Sequence, residues 1–223
     1  MHLALTDRLV CPECGPGWGL ILLATEVRER RVLEGELGCP NCRQNYPVSG
    51  GVADLRSSPR DPLQDSKGPP EPPSLKPEDT LRLGALLGVT EGPGTVLLLG
   101  PAAVHAEGLA ALVEGIEVVG SFGPLSPTGE REGVSRIVAR SKLPFAPDTF
   151  LGVLVSGDVS EEGASEAARV LSPGRRLVLL DGTSEALQGV SGLEMEVLLK
   201  DGDTLVAKKV GPGSLPLVTL RGP

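Results

Sequence analysis

Cys11-Pro12-Glu13-Cys14 and Cys39-Pro40-Asn41-Cys42 are the residues of this chain whose types and spacing could most directly do chemistry. Two C-x-x-C pairs separated by a hairpin's length of chain can place four thiolates tetrahedrally around one Zn²⁺, closing the shell against water. Such a site holds a fold together and does no catalysis. The same spacing also permits two disulfides or four unmetallated thiols. The N-terminal stretch MHLALTDRLVCPEC has neither the basic segment nor the long apolar run of a secretory signal, and disulfides are disfavoured without export. A redox role is the weaker reading: a redox pair opens a helix after a strand, whereas Pro12 and Pro40 favour tight turns. The expected metal ligands are Cys11, Cys14, Cys39 and Cys42, and the expected ion is structural zinc.

The other candidates are sparse. His105 could act as a general base, but no cysteine or paired carboxylate can be placed beside it from sequence, and it reads as an exposed residue in the first turn of a helix. Asp158, Glu161 and Glu162 follow an apolar strand and suit the positive end of a helix. Asp181 reads as a helix cap, and His2 carries no signal. No catalytic or cofactor-binding residue is assigned.

Three regions must position these groups. Residues 1–56 hold all four cysteines. Residues 57–77, rich in proline and polar side chains, lack the apolar surface to fold alone and read as an extended linker. Residues 78–223 alternate strand and helix patterns. PEDTLRLGALLG reads as a helix ended by Gly88, TVLLL as a buried strand, AAVHAEGLAALVEG as a helix, and IEVVG, VSRIVA and LGVLVS as strands. SEEGASEAARVL reads as a helix capped by Ser160, and RRLVLLDG as a strand after the turn Ser172-Pro173-Gly174. A short helix is expected over Thr183–Gln188, then LEMEVLLK and TLVAKKV as a hairpin around DGD. The fold expected is α/β: a small four-cysteine zinc ribbon plus a Rossmann-like, mostly parallel sheet with a C-terminal antiparallel hairpin.

Composition narrows the partners. The formal charge is -8 and aromatics are 2% of residues, which opposes phosphate-backbone contacts and removes base-stacking platforms, so direct nucleic-acid binding is not expected. Arg28, Arg30 and Arg31 read as a solvated strand face. No stretch approaches the ~20 apolar residues of a membrane span. A cytoplasmic protein is expected, with peripheral docking on a membrane complex left open.

The patterns LVCPEC and GELGCPNCRQNYPVSGGVADLR, over residues 5–56, resemble the small zinc-ribbon family that includes the activator subunit of eukaryotic tRNA and protein methyltransferases. That resemblance implies a module that binds a methyltransferase-fold partner and covers its apolar surface, here with the partner fused downstream. LPFAPDTFLGVLVS and EAARVLSPGRRLVLLD are similar to class I S-adenosylmethionine-dependent methyltransferases. Leu143, Pro144, Phe145, Phe150, Arg169, Val170, Leu171, Pro173 and Gly174 carry the likeness, which extends over residues 78–210. It implies the fold. Fold does not bring function with it.

The positions where that family holds its cofactor differ. The first strand should end on an acid followed by a glycine-rich loop. In TVLLLGPAAVH, Gly100 alone fits: Leu98 stands at the acid, Ala102 and Val104 at the next two glycines, and Pro101 removes an amide donor. No acid follows IEVVG, where Gly120-Ser121-Phe122-Gly123-Pro124 stands. Ala139, Arg140 and Ser141 precede the LPF turn, and Leu151 takes a fourth acidic position. Four lost contacts at about 1–2 kcal/mol each would erase a micromolar affinity. S-adenosylmethionine binding is therefore not expected. The expected role is a non-catalytic interaction protein, an accessory or stabilising subunit of a larger protein assembly. The alternative is an active methyltransferase with a divergent loop and a built-in ribbon activator. A third reading reuses the pocket, lined by Leu98, Ala102 and Val104, for a small apolar metabolite.

Overall fold

A computed structural model describes residues 1–60, 76–121, 131–140, 142–157, 160–180, 190 and 193–211. Most of the linker region, the helix expected over Thr183–Gln188, Asp158 and Asp181 lie outside the described residues.

After a short 3-10 helix, Leu3–Arg8, the chain forms β1 (Val10–Cys11), β2 (Gly15–Gly19), β3 (Ile21–Arg28), β4 (Arg31–Gly38), β5 (Asn45–Ser49) and β6 (Val52–Asp54). There follow α1 (Pro77–Leu87), β7 (Gly94–Leu99), a 3-10 turn (Gly100–His105), α2 (Ala106–Leu112), β8 (Ile116–Ser121), β9 (Val134–Val138) and β10 (Phe150–Ser156). The last elements are α3 (Glu161–Val170), β11 (Leu171–Leu180), β12 (Met195–Asp201) and β13 (Thr204–Lys209). All seven strands expected after residue 78 are present. So are the left-handed Gly88 cap, at φ 65°, and the Ser160 cap, whose hydroxyl accepts from the Gly163 amide at 3.1 Å.

Eleven strands of the described residues share one sheet in the order β12-β13-β11-β10-β7-β8-β9-β6-β5-β4-β3. From β11 to β6 every pairing is parallel, and both flanks are antiparallel. The expected mixed α/β architecture is what forms. Its continuous parallel centre is buried on both faces, which is why β7 and β10 read as unbroken apolar runs.

The strands of the cysteine-bearing segment continue this sheet. Val52, Ala53 and Asp54 on β6 pair in parallel with Arg136, Ile137 and Val138 on β9. A second seam forms beside it: Val10 donates its amide to the Pro144 carbonyl at 3.0 Å, and Ala146 donates to Arg8 at 2.9 Å. Side chains lock the seam. Arg31, read from sequence as a solvated residue, is only 8% exposed. It donates to both carboxylate oxygens of Glu117 on β8 at 3.1 Å and also to the Val134 carbonyl. The Ser135 hydroxyl donates to Glu117 as well. The flanking Arg28 is a solvated residue that pairs with nearby Glu26.

The residues that carried the methyltransferase likeness hold one corner of the fold. Arg169 on α3 makes a two-pronged pair with Glu166 at 2.7 and 2.9 Å and donates to the carbonyls of Phe145 and Leu143. The Glu166 carboxylate accepts from the Leu143 amide in return. Burial works to raise the Glu166 carboxyl, but the Arg169 hydrogen bonds and charge outweigh it and hold it below its ordinary range. The turn so fixed presents Phe145 edge-on to Phe150, with centroids 4.8 Å apart, and both rings are fully buried.

Candidate functional site: the cysteine cluster and the first strand turn

The two cysteine pairs meet. The four Sγ atoms lie within 4.8 Å of one another, with Cys11 to Cys42 at 3.6 Å and Cys14 to Cys39 at 3.8 Å. Those contacts run between the pairs and are far longer than the ~2.05 Å of a disulfide. They match the edge of about 3.8 Å that a tetrahedron with Zn–S near 2.3 Å requires. All four cysteines are free, and this is the group of metal-ligating type found among the described residues. They could hold a metal ion, in the set expected from the sequence.

The surroundings suit thiolates. Tyr46, fully buried, has its hydroxyl 3.5 Å from the Cys11 sulfur, and Asn41 donates its side-chain amide to Cys14 at 3.3 Å. Burial, then the neighbouring Cys11, raises the Tyr46 pKa, so the phenol keeps the proton it can donate. Burial works to raise Cys39, but the amides of Cys42 and Asn41 outweigh it and bring it to about 7. The Gln44 amide acts to lower Cys42, yet burial and the three neighbouring sulfurs push it up to about 12. One thiolate forms readily and the next resists, so a fully deprotonated set requires a bound cation. Tight turns deliver these groups: Cys39 accepts from the Arg43 amide at 3.0 Å, and Arg43 takes a left-handed φ of 62°.

The second candidate is the turn after β7. Gly100 has φ 74°, and a Cβ there would meet the Ser156 carbonyl oxygen at 2.2 Å, so only glycine fits. Ala102 and Val104 show no left-handed strain, because the chain winds into a 3-10 turn rather than an open glycine loop. The Ser156 hydroxyl accepts the Ala102 amide at 2.7 Å and donates to the Leu99 carbonyl at 3.2 Å. An amide that an open loop would offer to a ligand is thus consumed within the fold. Leu98 is wholly buried in the apolar cluster of Leu83, Ala102 and Ala106, where an ionised carboxylate would be costly.

The remaining positions are partly visible. Gly120 and Ser121 end β8, while Phe122, Gly123 and Pro124 lie outside the described residues, as does Ser141. Leu151 packs against the cluster containing Leu98. Glu161 and Glu162 occupy the first turn of α3. His105 differs from expectation: it ends the 3-10 turn, half-buried, with Nδ1 2.9 Å from the Thr80 hydroxyl on α1. Burial lowers its pKa and nearby Asp79 pulls the other way, leaving the ring neutral near pH 7. The Thr80 contact joins residues 25 apart and left no signal in the sequence.

No protein-family model matches this chain, and no curated protein sequence does. Solved structures of methyltransferases resemble it in fold. An S-adenosylmethionine-dependent O-methyltransferase from Thermotoga maritima is 15% identical over 62% of this chain and 67% of its own, with a TM-score of 0.47. The tRNA (m1A58) methyltransferase of Aquifex aeolicus is 12% identical over 62% and 70%, with a TM-score of 0.45. A chain from the complex between the Haloferax volcanii Trm112 methyltransferase activator and a protein assigned as a methyltransferase is 17% identical over 60% and 89%, with a TM-score of 0.42. No helix of the described residues is long and apolar enough to cross a membrane.

Proposed function

We propose that this chain is a fused zinc ribbon and retired methyltransferase-type fold, serving without catalysis as an accessory or stabilising subunit of a larger protein assembly. Its parts are a ribbon over residues 1–56, a linker over 57–77 and a methyltransferase-like domain over 78–223. Zinc, held by Cys11, Cys14, Cys39 and Cys42, would fix the turns that carry β6 to β9; its closed shell supplies no chemistry beyond that. The observation that carries the reading is the Ser156 clasp on the Ala102 amide, which fills the first-strand turn from inside the fold. The absent acids at Leu98, Leu151 and after β8 support it. The apolar core and capped helices were kept while the ligand-facing chemistry was not.

A second reading has its own support. Val52–Asp54 pair in parallel with β9, and a ribbon joined to the sheet in this way would suit an enzyme carrying its own activator. The native size of the protein separates the two. Gentle extraction from its host should give a particle well above the 23.1 kDa of one chain, with other subunits in fixed ratio. A strictly solitary chain under the same conditions would contradict the accessory role.

A further inference from the structure

A cavity of about 350 Å³ opens where the carboxyl ends of β7, β10 and β11 meet α1 and the start of β13. Strand order reverses about β7, whose neighbours β8 and β10 are followed outward by β9 and β11, so the cavity lies at the switch point where open α/β sheets receive ligands. Its volume suits a small molecule. Of the apolar lining expected from sequence, Ala102 and Val104 are present and Leu98 is not, and Leu83 and Leu180 share the walls with Asp79, Arg82 and His105.

The polar groups sort by availability. Ser156 is committed on both sides, to the Ala102 amide and the Leu99 carbonyl. His105 has given Nδ1 to Thr80, leaving Nε2 as its remaining polar atom. Asp79 and Arg82 stand three residues apart on one helix, a spacing at which opposite charges commonly pair. They form no ion pair with each other or with any other described residue. Arg82 offers a planar fork that fits a carboxylate. Asp79 offers a carboxylate that fits an ammonium group. Leu83, Val104 and Leu180 supply an apolar wall between these charges and the strand ends.

We propose that this cavity binds a free α-amino acid with an apolar side chain, its carboxylate on Arg82, its ammonium group on Asp79 and its side chain against Leu83, Val104 and Leu180. Neither charge alone specifies that ligand; two unpaired opposite charges beside an apolar wall do. The site needs no glycine loop and no ribose acid, so it is compatible with the turn that Ser156 closes. It stands independently of the accessory role.

Calorimetric titration of the full-length, zinc-loaded chain with L-leucine tests it, with 4-methylpentanoate lacking the ammonium group and 3-methylbutylamine lacking the carboxylate. L-leucine should bind with a Kd of about 1 mM or tighter, and each analogue at least about tenfold more weakly. Asp79→Asn and Arg82→Gln, both at exposed positions and each checked to melt with the parent chain, should each weaken L-leucine about tenfold, since each removes the charge that pairs with one end of the ligand. Silence with L-leucine up to about 10 mM would overturn the proposal. So would 4-methylpentanoate binding as tightly as L-leucine, which would reduce the site to a carboxylate contact. Unchanged affinity in both variants would place the ligand elsewhere and overturn it too.

Discussion

Metal-free protein is expected to lose the order of its first 56 residues, and the melting temperature of the whole chain is expected to fall by more than about 10 °C. The turns around Cys11–Cys14 and Cys39–Cys42 sit on a small module whose outer strand β3 is almost wholly exposed, including Ile21 and Leu23 at 63% and 69%. So small a module buries too little apolar surface to be stable alone. Structural zinc contributes on the order of 10 kcal/mol of apparent binding free energy in small cysteine modules, as much as the whole stability of a typical domain. Without the ion, four sulfurs packed within 4.8 Å would repel as they ionise, and the segment that delivers β6 to β9 would come loose. The loss would spread, because Leu9, Leu37, Tyr46 and Leu55 belong to the same buried cluster as Ile137, Phe145 and Leu177. Cys39→Ser should reproduce the effect of a strong chelator, and metal analysis of the parent chain should give one zinc per chain. A metal-free chain melting within about 2 °C of the loaded one would refute the assignment.

Arg31→Ala should cost about 2–4 kcal/mol in denaturant unfolding. Breaking a buried pair leaves its partner charged and uncompensated, which costs about 3–5 kcal/mol when burial is complete. Glu117 keeps 16% side-chain exposure and the Ser135 hydroxyl, so the figure is discounted. The pair spans 86 residues and joins β4 to β8, so the cost reports on the docking of the ribbon strands against the rest of the sheet. Arg31→Met with Glu117→Leu should recover much of the loss, because an apolar pair of similar volume needs no partner charge. If Arg31→Ala costs under about 0.5 kcal/mol, the seam contributes little to the fold.

What was legible in the sequence were features with a local cause. The β7, β10 and β11 runs are apolar because both sheet faces are covered. Gly88 ends α1 because the left-handed cap needs it, and Ser160 begins α3 because its hydroxyl reaches the Gly163 amide. The cysteine pairs announced their meeting by spacing alone. What stayed hidden was long-range. Three residues of β6 carry too short a pattern to specify a partner strand, so the continuous sheet could not be read. Arg31 resembled its exposed neighbours because nothing nearby in sequence marks Glu117 as its partner. An open glycine-type loop over Gly100–His105 would strain Ala102 and Val104 at left-handed positions. The chain avoids that strain by changing the turn, and Ser156, 54 residues from Ala102, is what makes the change possible.

The most direct test of the central claim is calorimetric titration of the folded, zinc-loaded chain with S-adenosylmethionine and its demethylated product. The account predicts no binding of either up to about 100 μM, because the turn's amide is taken by Ser156 and the acids that would hold the ligand are absent. Saturable binding of S-adenosylmethionine tighter than that, weakened by substitution in the Gly100–His105 turn, would contradict it and restore the enzyme reading.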